Sequence, residues 1–178
     1  MKFLELANKR RSCREYTAEV VSREAIERCL EAARLAPSAC NSQPWHFIVI
    51  ESPELKDKVA KEAFSGIHST NAFAKDAAVL ILAIREQTTY LTRLGGYFRG
   101  LRFSLIDLGV ACEHFILQAE EEGLGTCWIG WFNERRVKKL LKIPRSKKID
   151  IIISLGYPKN QQTVSKARKL LPEISEFR

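Results

Sequence analysis

The sequence predicts a layered α+β domain. Helix-like and strand-like segments alternate along the chain, but the helical segments are longer than a regular βαβ array requires. No glycine-rich phosphate loop of either common type follows a strand, which argues against the usual nucleotide-binding α/β folds. With 178 residues, of which 46% are hydrophobic, the chain is long enough for one domain with a proper core. We expect that domain to span residues 1–178.

The first half of the chain carries three helix patterns and one strand pattern. Residues 3–8 form a short amphipathic helix pattern. A second helix is expected to begin after Ser22 as N-cap, to carry apolar residues at i, i+3, i+4 and i+7, and to end at Pro37. The apolar run 47–50 predicts a buried strand, and Ser52 followed by a proline predicts the start of a third helix.

The second half contains the two strongest strand patterns. The continuous apolar run 77–84 is typical of a strand covered on both faces, and 149–155 is the last strong strand. A polar connection is expected at 65–76. The segment 85–100 is either a mobile lid over a pocket or a surface excursion, and the sequence leaves both alternatives open.

A long helix is predicted over residues 101–122, because its apolar residues recur at core spacing. Gly123 and Gly125 are expected to end it. The residues 126–132 that follow are apolar and aromatic, and Asn133 is a candidate N-cap for the next helix.

Composition excludes several classes of protein. No apolar run approaches the roughly 20 residues that span a bilayer, and the N-terminus lacks a signal-peptide pattern, so we expect a cytoplasmic protein without a membrane partner. Five widely spaced cysteines and three scattered histidines favour neither a disulfide framework nor a metal site. The net charge of +8 is split among residues 9–14, 135–148 and 159–169, which favours solvated faces and ligand contacts over a nucleic-acid interface.

The loop 37–47 is a candidate ligand site. Two prolines exclude a continuous helix or strand, and the loop is almost free of charge. Ser38, Asn41 and Gln43 can donate and accept hydrogen bonds, and aromatic residues follow. Such a loop suits a flat heteroaromatic ligand. An ordinary connection whose polar side chains satisfy local backbone groups is an equally good interpretation.

The basic stretch 10–14 is a candidate phosphate site. Arg10, Arg11 and Arg14 surround Ser12 where the first helix ends. The planar guanidinium matches phosphate oxygens, and the hydroxyl adds a neutral hydrogen bond. A solvated basic turn at a helix C-terminus is the alternative interpretation.

Four motifs together resemble the FMN-dependent nitroreductase family in a short form. They are residues 10–14 (RRSCR), 37–45 (PSACNSQPW), 123–130 (GLGTCWIG) and 166–168 (KAR), and they occur in the family's order and at its usual separations. The resemblance therefore covers nearly the whole chain.

The resemblance implies a layered fold with a central mixed or antiparallel sheet between helices, and a homodimer with FMN at its interface. It implies an NAD(P)H oxidoreductase that reduces nitroaromatics, quinones or similar flat acceptors in a ping-pong cycle, with hydride transfer through flavin N5. Two alternatives stay open: a flavin-binding carrier or sensor without turnover, and another FMN reaction of the superfamily such as dehalogenation or oxidation. The resemblance names neither the acceptor nor the choice between NADH and NADPH.

The resemblance also implies the cofactor-binding residues. They are Arg10, Arg11, Ser12, Arg14, Pro37, Ser38, Ala39, Asn41, Gln43, Asn71, Trp128, Ile129, Gly130, Lys166 and Arg168. No catalytic side chain and no metal are required, because the flavin carries the chemistry. Tyr97 and His68 are conceivable proton donors, and exchange of the C-terminal tail between subunits is an open question.

Overall fold

The computed structural model of the protein describes residues 2–87, 96, 98, 100–160 and 166–178. Its helices are α1 (Phe3–Lys9), α2 (Arg23–Arg34), α3 (Pro53–Ala63), α4 (Phe103–Glu121), α5 (Glu134–Leu140) and α6 (Leu171–Ile174). Its strands are β1 (Trp45–Ile50), β2 (Val79–Arg85), β3 (Gly125–Ile129) and β4 (Lys148–Gly156). Two 3-10 segments, Ala39–Asn41 and Gly66–Asp76, lie in the connections.

The four strands form one sheet in the order β1-β2-β4-β3, and every neighbouring pair is antiparallel. The two central strands, β2 and β4, are those with the strongest apolar runs. Their register shifts between Ala83 and Ile84, which marks a β-bulge near the end of β2. The predicted α+β class with a central antiparallel sheet is therefore confirmed.

The core has two layers, one on each face of the sheet. Alternate residues of β2 point to opposite faces. Val79, Ile81 and Ala83 pack in the cluster that contains buried residues of α2 and α4. Leu80, Leu82 and Ile84 pack in the cluster with buried residues of α3 and α5. The prediction that residues 77–84 are covered on both faces is thus confirmed.

Two predicted helix starts are confirmed by their hydrogen bonds. The Ser22 hydroxyl accepts from the amide of Ala25 at 3.2 Å, and the Asn133 side chain accepts from the amide of Arg136 at 3.1 Å. These bonds satisfy amides that no helical carbonyl reaches in the first turn.

Two predicted boundaries were wrong in detail. Gly123, with φ +76°, follows the end of α4, whereas Gly125 is the first residue of β3. The strand predicted at 47–50 begins two residues earlier and is partly rather than fully buried, because β1 is an edge strand. The polar connection predicted at 65–76 contains the 3-10 segment Gly66–Asp76.

Most of the segment 85–100, including Tyr97, lies outside the described residues. In the part of the chain that the structure describes, no helix is both long enough and apolar enough to cross a membrane.

Candidate functional site

The stretch that follows α1 lies against β3. Ser12 and Thr126 form a parallel β-bridge, and the amide of Cys13 donates to the carbonyl of Thr126 at 2.7 Å. Gly125 makes this approach possible, since a Cβ there would lie 2.7 Å from the Cβ of Cys13. The first and third motifs of the sequence are therefore joined by direct backbone contact.

The third motif brings a buried thiol close to the basic stretch. Burial raises the pKa of Cys127, while the Arg14 charge, contact with the Ser12 hydroxyl and the Arg10 charge lower it. Three candidate site residues thus surround one point of β3. Arg14 also places its guanidinium carbon 5.9 Å from the ring centroid of Phe73, within the range of a cation–π contact.

Arg11 acts electrostatically on a different thiol. Burial raises the pKa of Cys13, and the charge of Arg11 lowers it. Arg11 is half-buried, whereas Arg14 is exposed. A raised pKa leaves the thiols of Cys13 and Cys127 protonated at neutral pH, so both are packing residues rather than nucleophiles.

The C-terminal motif folds back onto α1 and completes a cluster of cations. The Lys166 ammonium donates to the carbonyl of Ala7 at 2.8 Å. Burial lowers the pKa of Lys166, and the charges of Arg10 and Arg168 lower it further. The Nε of Arg10 is buried, and no described residue accepts its proton. A buried donor without a partner, beside two further cations, is what an anionic group would satisfy.

The loop after α2 has an unusual backbone. Cys40, Asn41 and Gln43 have φ values of +51°, +50° and +43°, although none of them is glycine. The amide of Gln43 donates to the Ser38 hydroxyl at 2.9 Å, and its side-chain nitrogen donates to the side-chain oxygen of Asn41 at 3.2 Å. These local hydrogen bonds are the ones expected if the loop is an ordinary connection between α2 and β1. Left-handed non-glycine residues, however, gather at ligand sites, where other contacts hold them.

A residue that sequence reasoning missed ties the loop to α4. The amide of Ala39 donates to Oδ1 of Asp107 at 3.1 Å. Asp107 is only 5% exposed, and its other oxygen has no partner among the described residues. The local signal was one carboxylate within the apolar run 105–112 at the start of α4.

The end of β3 presents an open surface. Trp128 is 38% exposed, Ile129 is buried, and a Cβ added to Gly130 would meet no atom within 4 Å. The following residue, Trp131, is 58% exposed, yet it is fixed from two sides. Its carbonyl accepts from Nδ2 of Asn71 at 2.9 Å, and its indole N–H donates to a backbone carbonyl at 3.2 Å.

His68 packs against this surface with its ring tilted 39° to that of Trp131. The ring centroids of His68 and Trp131 are 4.9 Å apart. In the described ranges, no three His, Cys, Asp or Glu side chains are arranged to hold a metal ion.

The structure thus divides the predicted residues into three groups. Arg10, Ser12, Arg14, Lys166 and Arg168 gather around α1 and β3. Asn71 is bonded to Trp131, which directly follows Trp128, Ile129 and Gly130 in the chain. The loop with Pro37, Ser38, Ala39, Asn41 and Gln43 is anchored on α4.

Comparisons with known sequences and structures agree on one protein family. A sequence model described as "Nitroreductase family" matches residues 7–157. A protein of Archaeoglobus fulgidus is 35% identical over 163 residues, covering 89% of this chain and 87% of the relative. Its name assigns it provisionally to the NADH dehydrogenase/NAD(P)H nitroreductases.

Two further relatives extend the comparison. The structure of an FMN-dependent nitroreductase from Clostridium difficile R20291 superposes with a TM-score of 0.77 at 26% identity, covering 98% of each chain. The mouse protein iodotyrosine deiodinase 1 is 29% identical over 195 residues, which cover 97% of this chain and 68% of the relative.

Proposed function

Since the chain belongs to the nitroreductase family, we propose that it is an FMN-dependent NAD(P)H oxidoreductase that reduces nitroaromatics, quinones or similar flat acceptors. The residues 1–178 would form one FMN-binding domain. The observation that carries the proposal is the cluster of Arg10, Lys166 and Arg168. In this cluster, the buried Nε of Arg10 has no hydrogen-bond partner among the described residues.

The cluster fits the phosphate of FMN. A phosphate monoester carries nearly two negative charges and three acceptor oxygens. Arg10 and Arg168 supply guanidinium donors, Lys166 supplies an ammonium, and Ser12 supplies a hydroxyl. The lowered pKa of Lys166 reflects repulsion from the two arginines as well as burial, and a bound dianion would relieve that repulsion. Arg11 would be an outer member, because it lies towards Cys13.

The neutral part of the cofactor would use the other two groups of residues. The loop of Pro37, Ser38, Ala39, Asn41 and Gln43 offers amide, hydroxyl and carboxamide groups without a charge. Those groups suit the ribityl hydroxyls and the polar edge of the ring system.

The residues at the end of β3 would line the ring system on another side. Trp128 and Gly130 border an open surface there, Ile129 anchors this stretch in the core, and Asn71 fixes its backbone. A backbone amide at such a place orients a flavin without acting as an acid or base.

FMN, when bound, supplies the transfer of a hydride from NAD(P)H to the acceptor. The chain's own residues would bind FMN, orient it and set the electrostatic potential around it. Arg14 keeps an exposed guanidinium next to Cys127 and Phe73, where its positive charge would favour added negative charge on the cofactor. No catalytic side chain is assigned.

A homodimer with FMN at its interface forms part of the proposal. Large apolar side chains are exposed on α1, at the start of α4 and in the C-terminal segment. Exposed apolar surface of this kind is typical of a protein–protein interface. The side chains are Phe3, Leu4, Leu105, Ile106, Leu170, Leu171, Ile174 and Phe177. A second copy of the chain that covers them would bring two C-terminal segments to the interface.

The test is a pair of measurements on the purified protein. We expect FMN to bind, and the loaded protein to oxidise NADH or NADPH when nitrofurazone or menadione is added. Arg10→Ala should weaken FMN binding at least tenfold, because it removes a charge-assisted hydrogen-bond donor. Arg135→Ala, which removes an exposed arginine of α5 outside the cluster, is the matched control. Absence of FMN binding by the unmodified protein would refute the proposal.

The same protein samples distinguish the two alternative functions. A carrier or sensor would bind FMN but oxidise neither nicotinamide donor with any acceptor. A dehalogenase is the second candidate, because the similarity to the mouse deiodinase covers 97% of this chain. Release of iodide from iodotyrosine under reducing conditions, faster than reduction of nitrofurazone, would support that candidate.

A further inference from the structure

Asp107 is a buried carboxylate in an apolar stretch of α4. Its side chain is one of the few polar groups in the core, with 5% exposure. Oδ1 accepts the amide proton of Ala39, whereas Oδ2 is buried and has no partner among the described residues. A buried oxygen without a hydrogen bond destabilises a fold, so packing alone does not explain an aspartate at this position.

The hydrogen bond that the Asp107 side chain accepts reaches the start of the strained loop. Ala39 is the first residue of the 3-10 turn Ala39–Asn41, and left-handed residues follow it. The carbonyl of Ala39 in turn accepts from the amide of Ser42 at 3.1 Å, and the Ser42 hydroxyl is a second buried polar group without a partner in the described ranges. The bond from α4 therefore fixes the turn at its first residue.

We propose that Asp107 is a positioning residue, which holds the loop 37–43 in the conformation that binds the cofactor. The inference rests on the proposed function, since it requires that this loop contacts FMN. Left-handed conformations at non-glycine residues persist only where the surroundings hold them, and the Ala39–Asp107 bond is the tie from a rigid element to this loop. The buried Oδ2 has no hydrogen bond among the described residues, which lowers the stability of the fold, and this loss accompanies the positioning role.

A purely structural role predicts something different. If Asp107 served the core, its replacement would lower the stability of the apo-protein. If it positions the loop, replacement removes an unsatisfied oxygen together with one useful bond, so the melting temperature of the apo-protein changes little while the loop loosens.

Two substitutions separate the hydrogen bond from the charge. Asp107→Asn retains an oxygen that accepts the Ala39 proton, and Asp107→Ala removes it. The matched controls are Asp57→Asn and Asp57→Ala, because the side chain of Asp57 is 71% exposed on α3. For each protein we would measure the melting temperature without FMN, the amide exchange of the peptide that carries Ala39, and the Kd for FMN.

The expected pattern is specific. Asp107→Ala should raise the Kd for FMN about tenfold, which corresponds to ~1.4 kcal/mol, the upper end of what one intramolecular hydrogen bond contributes. Amide exchange of the Ala39 peptide should accelerate in the apo-protein, while the melting temperature stays near that of the unmodified protein. Asp107→Asn should restore both the Kd and the exchange rate to within about threefold.

Each other outcome overturns the inference. An Asp107→Ala protein that melts far earlier or does not fold assigns a structural role. Equal Kd values for Asp107→Ala and the unmodified protein show that the loop does not depend on this bond. An Asp107→Asn protein as weak as Asp107→Ala shows that the charge matters and the hydrogen bond does not. Failure of the unmodified protein to bind FMN is a different result, because it refutes the proposed function itself.

Discussion

Gly125→Ala tests whether close contact between two distant motifs builds the candidate phosphate site. The added Cβ would lie 2.7 Å from the Cβ of Cys13 and 2.8 Å from its sulfur. Carbon atoms in contact normally stay beyond about 3.5 Å. The basic stretch must therefore move away from β3 by most of an ångström, and the 2.7 Å bond from the amide of Cys13 to Thr126 must lengthen or break.

The size of the effect follows from these contacts. Overpacking a tight site costs about 1 to 3 kcal/mol, and a lost backbone hydrogen bond adds ~1 kcal/mol. For a chain of this size, a loss of about 2 to 4 kcal/mol lowers the Tm by roughly 4 to 16 °C. Displacement of Ser12 and Arg14 from the phosphate should also weaken FMN binding by about tenfold or more, since charge-assisted bonds depend on distance.

The assay compares thermal melting and FMN titration across three variants and the unmodified protein. Gly109→Ala is the control for the added methyl group, because a Cβ at Gly109 meets no atom within 4 Å. The double variant Gly125→Ala with Cys13→Gly removes the clashing atoms from the other side and should recover part of both losses. The reasoning is refuted if Gly125→Ala melts and binds FMN like the unmodified protein, or if the double variant recovers nothing.

Three further predictions concern single groups. The pKa of Lys166 lies below 10.5 in the apo-protein, and a bound phosphate would raise it; FMN affinity should therefore fall as the pH rises through the apo-protein's value, and Lys166→Arg should abolish that fall in FMN titrations at increasing pH. Of five cysteines only Cys40 is exposed, so a thiol reagent at pH 8 should label one fast site, and FMN should slow that labelling. Arg85→Ala should destabilise the protein by about 3 kcal/mol in urea unfolding, because it leaves Asp150 as an unpaired, mostly buried carboxylate; an unchanged midpoint would contradict this account of the ion pair.

Much of the fold could be predicted because its signals are local. The apolar run 77–84 has a strand's length and is bounded by polar residues, and it became the central strand β2. Ser22 and Asn133 are short polar side chains at the start of apolar helical patterns, and both cap a helix in the structure. Local sequence determines such features, so they survive without knowledge of the tertiary contacts.

Features that depend on a distant partner were missed. Gly125 follows Gly123 closely, and the sequence predicts that both end the same helix, but the role of Gly125 comes from Cys13, which lies far away in sequence. Asp107 has a helical neighbourhood of apolar residues, and only the tertiary fold places Ala39 against it. The sequence selected Asn71 as a candidate, but could not indicate that its amide group holds the carbonyl of Trp131.

The candidate site shows the same division. The order of the motifs at 10–14, 37–45, 123–130 and 166–168 predicted which residues to examine. The buried Nε of Arg10, the return of Lys166 to α1 and the left-handed turn at Cys40 are consequences of packing. Those three observations are the structural support for the proposed cofactor site.

The most direct test of the central claim is a titration of the apo-protein with FMN and, in parallel, with riboflavin, which lacks only the phosphate. If the cluster of Arg10, Lys166 and Arg168 binds that phosphate, the Kd for FMN, measured from the quenching of flavin fluorescence, should be at least a hundredfold lower than the Kd for riboflavin. The reason is that riboflavin lacks several charge-assisted bonds at once. Equal affinity for the two flavins, or binding of neither, would contradict the claim.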